Sequence, residues 1–224
     1  MACLLYCVTL TSAEFISNLI GVTEQPITAH EVGGLRVYWS AVANPETLVE
    51  GSSRKPAELK YQQALREMAM RATAIALAFP TIIPDPESID TAVAGQTEHL
   101  AEVLNRLAGT IQYQLTATWA EDELADLATP ISGKEFQKRR AGSEARVAAI
   151  DTKLKTVTRG IVREWRPRQD RRKHLWFALM ACEDRERFIS ALRSAGPSEG
   201  VRLRLSGPWP PTEFANIRET SFLK

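Results

Sequence analysis

The chain has 224 residues, 44% of them apolar and 25% charged, with a formal net charge of +1. These are globular values, enough to bury a core without disulfides or metals; they exclude a low-complexity filament, and no apolar run approaches the roughly 18 residues that span a bilayer. The charge is uneven: residues 1–133 carry 7 basic and 16 acidic side chains, whereas residues 134–173 carry 14 basic and 5 acidic, which predicts two modules.

In chain order, Ala2 to Leu10 alternates in the manner of a strand. It lacks the basic flank and cleavage site of a secretory leader, which places the chain in the cytoplasm. Thr11 or Ser12 caps a predicted short helix through Ile20, with Glu14 completing a capping box and Gly21 ending it. Ile27 to Val32 and Leu35 to Val42, joined by Gly33-Gly34, read as a hairpin. Asn44 to Pro56 reads as a loop, and Ala57 to Ala76 as a helix with Tyr61, Leu65, Met68, Ala72 and Ile75 on one face. Pro80 and Pro84 break the pattern and leave Leu77 to Ile83 extended. Asp85 caps a helix that Ile89, Val93, Leu100, Val103, Leu104 and Leu107 carry to Gly109. Thr110 to Trp119 is then a strand. With one helix added, the order is the ferredoxin-like βαββαβ arrangement, a sheet with helices on one face.

Glu121 to Pro130 is an acidic candidate linker. Beyond it, Ser132 to Trp165 is predicted as one long basic helix with an apolar stripe of Val147, Ile150, Leu154, Val157 and Ile161, ended by Pro167. His174 to Cys182, Asp184 to Ala195 and Val201 to Leu205 follow as strand, helix and strand. The predicted architecture is α+β: a ferredoxin-like domain over residues 1–120 and a smaller α+β domain, led by the long basic helix, over residues 131–224.

The residues announce no chemistry. Cys3, Cys7 and Cys182 form no CxxC pair, and His30, His99 and His174 have no metal-ligand spacing. No phosphate-binding glycine loop and no GxSxG elbow occurs. The carboxylates Glu121, Asp122 and Glu123 read as a solvated loop. No catalytic residue, cofactor or metal is therefore predicted, and the chain is read as a non-enzyme. One alternative is RNA binding or regulation by a ferredoxin-like module. It would use the basic segment 163–173 (Arg163, Arg166, Arg168, Arg171, Arg172, Lys173) for phosphates and Trp165 and Trp176 for base stacking. It lacks the aromatic-rich string such sheets carry.

One string is distinctive. Gly207-Pro208-Trp209-Pro210-Pro211 is a rigid corner, because each proline fixes its own φ and restricts its predecessor. Trp209 is either a latch on the core or an aromatic docking surface, and the usual burial of tryptophan favours the latch. The stretch Val201-Arg202-Leu203-Arg204-Leu205-Ser206-Gly207-Pro208-Trp209-Pro210-Pro211 resembles the C-terminal signature of the gas vesicle GvpL/GvpF family. Phe214 stands where that family often has an aromatic. Leu5-Tyr6-Cys7-Val8 resembles its opening strand, Gly33-Gly34-Leu35 with Ser40 its second hairpin arm, and Ser132-Gly133-Lys134-Glu135-Phe136 the start of its long helix. Two places depart from it: Ala78-Phe79-Pro80-Thr81 within Ala74 to Ile83 replaces an Arg-Phe-Gly-Thr string, and Thr212-Glu213 replaces Tyr-Ser.

The resemblance implies a gas vesicle accessory or minor structural protein. Its implied partners are the main shell protein and other accessory proteins, with no nucleic acid and no membrane. Its implied location is the gas vesicle, and the cytoplasm before assembly. Gly207, Pro208, Trp209, Pro210, Pro211 and Phe214 form the candidate protein-binding or structural corner.

Overall fold

The computed structural model describes residues 1–119, 133–170, 173–196 and 201–216. The predicted linker and its carboxylates Glu121, Asp122 and Glu123 lie outside them. The fold is α+β with two four-stranded antiparallel sheets.

In the first sheet, β1 (Ala2–Leu10) lies between β3 (Leu35–Val42) and β4 (Ile75–Ile83), antiparallel to both. β2 (Thr28–Val32) pairs with β3, giving the order β2-β3-β1-β4. Gly33 and Gly34, with φ of 54° and 80°, supply the two positive values that a type I′ hairpin turn requires. β3 and β4 are joined through α1 (Glu46–Val49) and α2 (Arg54–Ala69), so this half is a β-α-β unit split by β1.

The predicted helix between β1 and β2 is absent; residues 11–19 are turn and irregular loop. Asn18 has φ of 60°, outside the right-handed helical region. Thr11 Oγ1 donates to the Gly34 carbonyl at 3.0 Å instead of capping a helix. Arg36, only 7% exposed, holds the loop. Its Nη1 donates to Ala13 O at 3.2 Å and its Nη2 to Thr11 O at 3.1 Å, while its Nε donates to Glu31 Oε1 at 3.0 Å. The guanidinium also sits 5.1 Å from the Phe15 ring centroid.

Ala57, Tyr61, Ala64, Leu65 and Met68 of α2 pack on Leu4, Tyr6, Tyr38 and Val42 of the sheet, with Ile16, Leu19 and Val22 of the loop. Tyr61 stacks on Tyr6 with centroids 5.1 Å apart, and its hydroxyl donates between Tyr6 O at 3.0 Å and Leu77 O at 2.8 Å. Burial pushes its phenol well above the ordinary range. Tyr6 Oη accepts the Val22 N–H at 2.8 Å and pairs with Ser40 Oγ at 3.0 Å. Gly21 lies against both oxygens; a Cβ there would come within 2.6 Å of each.

Several predicted boundaries move. α2 begins at Arg54 and ends at Ala69, so the predicted 44–56 loop contains α1 and the start of α2, Ala72 follows the helix, and Ile75 opens β4. The helix predicted through Leu107 is two, α3 (Ser88–Val93) and α4 (Thr97–Arg106), with Gly95 between them. The N-cap of α3 is Glu87, not the predicted Asp85, which lies in the turn before it: its Oδ1 accepts Ser88 N–H at 2.8 Å and Ser88 Oγ–H at 2.7 Å, bonds that lower its carboxyl pKa. α4 contacts β1 and β3, and its buried Leu100, Val103 and Leu104 stand apart from the α2 cluster. Helices therefore cover both faces of the sheet, which is why β1 is buried along nearly its whole length.

The fourth strand is β4, not Thr110–Trp119. Pro80 lies inside it because β4 is an edge strand. Its register with β1 jumps from Leu5↔Thr81 to Cys7↔Ala76, leaving residues 77–80 out of the ladder, a place where a missing N–H is tolerated.

β5 (Thr110–Trp119) joins the second sheet, of order β6-β7-β5-β8, with β6 (Val162–Asp170), β7 (Lys173–Ala181) and β8 (Val201–Trp209). The long helix α5 (Gly133–Val157) stops well before Trp165. The chain turns at Gly160, with φ of 73°, and the Ile161 N–H donates to Thr158 O at 3.0 Å. Pro167, predicted as a helix stop, sits in edge strand β6 opposite Trp176. Ile150 and Leu154 of the stripe are buried, and Val147, Val157 and Ile161 half-buried. Trp176 Nε1 donates to Asp151 Oδ1 at 3.2 Å, tying β7 to α5. Phe188 of α6 (Arg185–Ser194) packs on Tyr113 and Trp165, centroids 5.4 and 6.2 Å away.

The contacts divide the chain into two units, Met1–Gln112 joined by the residues from Pro208 onward, and Tyr113–Gly207. The second unit is thus inserted into the first. The sequence-based division into 1–120 and 131–224 makes each half one continuous piece; the difference lies mainly after Gly207, where the chain rejoins the first unit. Among the described residues no helix is long and apolar enough to cross a membrane.

Candidate functional site

β8 is an edge strand, the position that Pro208, with no N–H to donate, demands. It runs on through Gly207 and Pro208 to Trp209, beyond its predicted end at Leu205. Gly207 has φ of 136°, a value a side chain would disfavour. Pro210 and Pro211 are buried, and a 3₁₀ turn follows over Thr212–Phe214. Its bonds run from Phe214 N–H to Pro211 O and from Ala215 N–H to Thr212 O, both at 3.0 Å, after a tighter bond from Thr212 N–H to Pro210 O at 2.8 Å.

From Pro208 onward the segment lies in the first unit, and four elements there hold it. The Ala76 N–H of β4 donates to Thr212 Oγ1 at 2.8 Å. Because β4 is the outer strand of its sheet, this bond closes a donor on an open edge. Arg106 Nη2 of α4 donates to Phe214 O at 3.0 Å, and Gln112 Oε1 of β5 accepts the Glu213 N–H at 3.1 Å. Arg66, on the exposed side of α2, places its guanidinium 4.4 Å from the Trp209 ring centroid. Phe214 is 0% exposed.

The structure therefore gathers Pro208, Trp209, Pro210, Pro211 and Phe214 into one strap, with Gly207 at its root. The fully buried ring is Phe214; Trp209 is half-buried beneath Arg66. Thr212, a departure from the family pattern, supplies the acceptor for β4. Sequence reasoning missed Arg66, Ala76, Arg106 and Gln112. No spacing announces them, since Arg66 and Arg106 read as solvated positions on amphipathic helices.

The other candidates are dispersed. His30 Nε2 meets Asp90 Oδ1 at 2.9 Å. Among the described residues no three His, Cys, Asp or Glu side chains group as a metal site. Cys3 and Cys7 are buried free thiols, and burial raises the pKa of both. Arg163, Arg166 and Arg168 lie on β6 and Lys173 on β7, with Arg166 Nε paired to Glu164 Oε1 at 2.7 Å; Arg171 and Arg172 lie outside the described residues. Trp176 is 1% exposed, and Trp165 is half-buried with its ring centroid 6.2 Å from that of Phe188.

The family model for gas vesicle synthesis protein GvpL/GvpF matches residues 2–216. No curated protein matches the chain. The crystal structure of the gas vesicle protein GvpF from Anabaena sp. PCC7120 is similar to it, with a TM-score of 0.76, 18% identity and 97% of each chain covered. That of GvpF from Microcystis aeruginosa has a TM-score of 0.72 at 16% identity, covering 96% of this chain and 99% of its own. At these identities the likeness is one of fold. The family match extends from the first strand to the strap, and this chain belongs to the GvpL/GvpF family of gas vesicle synthesis proteins.

Proposed function

We propose that the protein is a non-enzymatic accessory or minor structural component of gas vesicle formation, acting by binding the main shell protein or other accessory proteins. The family match over residues 2–216 carries this reading, since membership gives the chain a gas vesicle-related role. A shell that excludes liquid water needs a very apolar inner face, and subunits bearing such a face aggregate unless held. A protein partner that accompanies them from the cytoplasm to the vesicle meets that need.

The test is deletion in a vesicle-forming host with co-purification from the complemented strain. Loss of vesicles on deletion, their return with the wild-type gene, and capture of the shell protein or an accessory protein on the tagged chain are expected. Normal vesicles in the deletion strain, or salt-sensitive RNA as the captured partner, would overturn the reading.

A further inference from the structure

We propose that the strap, residues 208–215, is exchangeable: the groove that holds it on the first unit takes the same segment from a second copy of this chain, and two copies close a reciprocal dimer by trading straps. The inference goes beyond the gas vesicle role and does not depend on it.

Three features support it. The strap reaches its groove from far along the chain. Thr212 is 136 residues from Ala76, Phe214 108 from Arg106, and Glu213 101 from Gln112. The walls of the groove belong to α2, β4, α4 and the start of β5, elements with packing of their own in the first unit. What the groove offers is general: an edge N–H, a guanidinium, an amide oxygen and a seat for one buried ring. Any copy of the segment satisfies it equally.

The strap also carries its own shape. Pro208, Pro210 and Pro211 hold it extended, and the 3₁₀ turn is closed by bonds within it. Little ordering cost separates docking in cis from docking in trans. Finally, β8 passes into the strap with no loop between them, and the path is set at Gly207 with φ of 136°. Glycine adopts extended geometry as readily, so one residue re-aims the strap. Short junctions of this kind invite exchange. The docking contacts are then the same in both forms, and concentration decides between them.

The experiment uses the full chain with Cys182→Ser, which removes the exposed thiol, and Cys7→Ala, which removes the thiol opposite Ala76 in β1, and adds Ala76→Cys and Thr212→Cys. Under mild oxidation the new pair joins strap to groove, within one copy or between two, and a non-reducing gel separates the cases. A covalent dimer that grows with protein concentration before oxidation, and is lost when either new cysteine is omitted, is expected. A disulfide formed only within single copies at every concentration would overturn the proposal.

If the pair does not oxidise, a fluorescent peptide of residues 208–216 decides, titrated against the wild-type chain and against Phe214→Ala. Binding about tenfold tighter to Phe214→Ala is expected, because the weakened strap leaves more of the groove open. Thr212→Ala replaces that variant if it does not fold. A peptide that binds none of these chains would overturn the proposal equally.

Discussion

Two aromatic side chains in the strap divide its work. Phe214 has no exposed surface, so Phe214→Ala is expected to lower the unfolding free energy by ~3–5 kcal/mol, the range for truncating a buried ring. Trp209 is half-buried with Arg66 over its face, and Trp209→Ala is expected to cost only about 1–2 kcal/mol. Urea denaturation of the two variants measures the difference. If Trp209 is also a docking anchor, co-purification of the shell protein or an accessory protein falls in Trp209→Ala while the fold persists. The prolines made this corner legible in the sequence, because they dictate backbone geometry without reference to anything distant. Which ring is buried was not legible, because that depends on α2, α4 and β4, far along the chain. Tyr61 poses a simpler case. Its hydroxyl serves two buried carbonyls, so Tyr61→Phe is expected to cost about 1–3 kcal/mol in the same assay.

At the scale of elements, the irregular crossover between β1 and β2 departs most from expectation. Thr11, Glu14 and Gly21 carry sound local signals for a short helix, and tertiary contacts override them. Arg36 from β3 takes the Thr11 and Ala13 carbonyls, and Tyr38 Oη accepts the Ile16 N–H at 3.0 Å. Arg36→Ala is therefore expected to cost about 2–3 kcal/mol and to speed amide exchange in residues 11–20 before the rest of the sheet. Equal exchange across the sheet would show that the arginine does not pin the loop. Gly21→Ala is expected to cost about 1–3 kcal/mol by driving a methyl into Tyr6 and Ser40. The hairpin, by contrast, was legible from Gly33-Gly34, since its requirement is local. Of the proline-bearing edge strands, β6 was misread, with Pro167 taken as a helix stop, while the extended reading of Leu77 to Ile83 holds within β4. Proline forbids a central strand and permits an edge, and one sequence does not say which strands are edges.

For the molecule as a whole, the buried acids of the first unit set its alkaline limit. Burial raises the pKa of Tyr61, Tyr6 and Cys7 above their ordinary values of 10.0, 10.0 and 9.0. Above those values the unfolded chain gives up protons that the folded chain keeps, so stability is full below about pH 9 and falls as pH rises further. Denaturation midpoints between pH 8 and 11 should show this decline, and Tyr61→Phe should reduce its slope. The division into units was legible only in part. The charge contrast announced two modules, but nothing local tells a reader that the chain returns to the first after Gly207. That return orders events during synthesis. At about 5–20 residues per second, the roughly hundred residues between Gln112 and Pro208 take about 5–20 s to make. For that interval a nascent first unit holds an unfilled seat for Phe214 and an uncapped edge on β4. The strap is translated after the inserted unit, so a first unit sealed by its own strap belongs to a chain whose inserted unit has already been made.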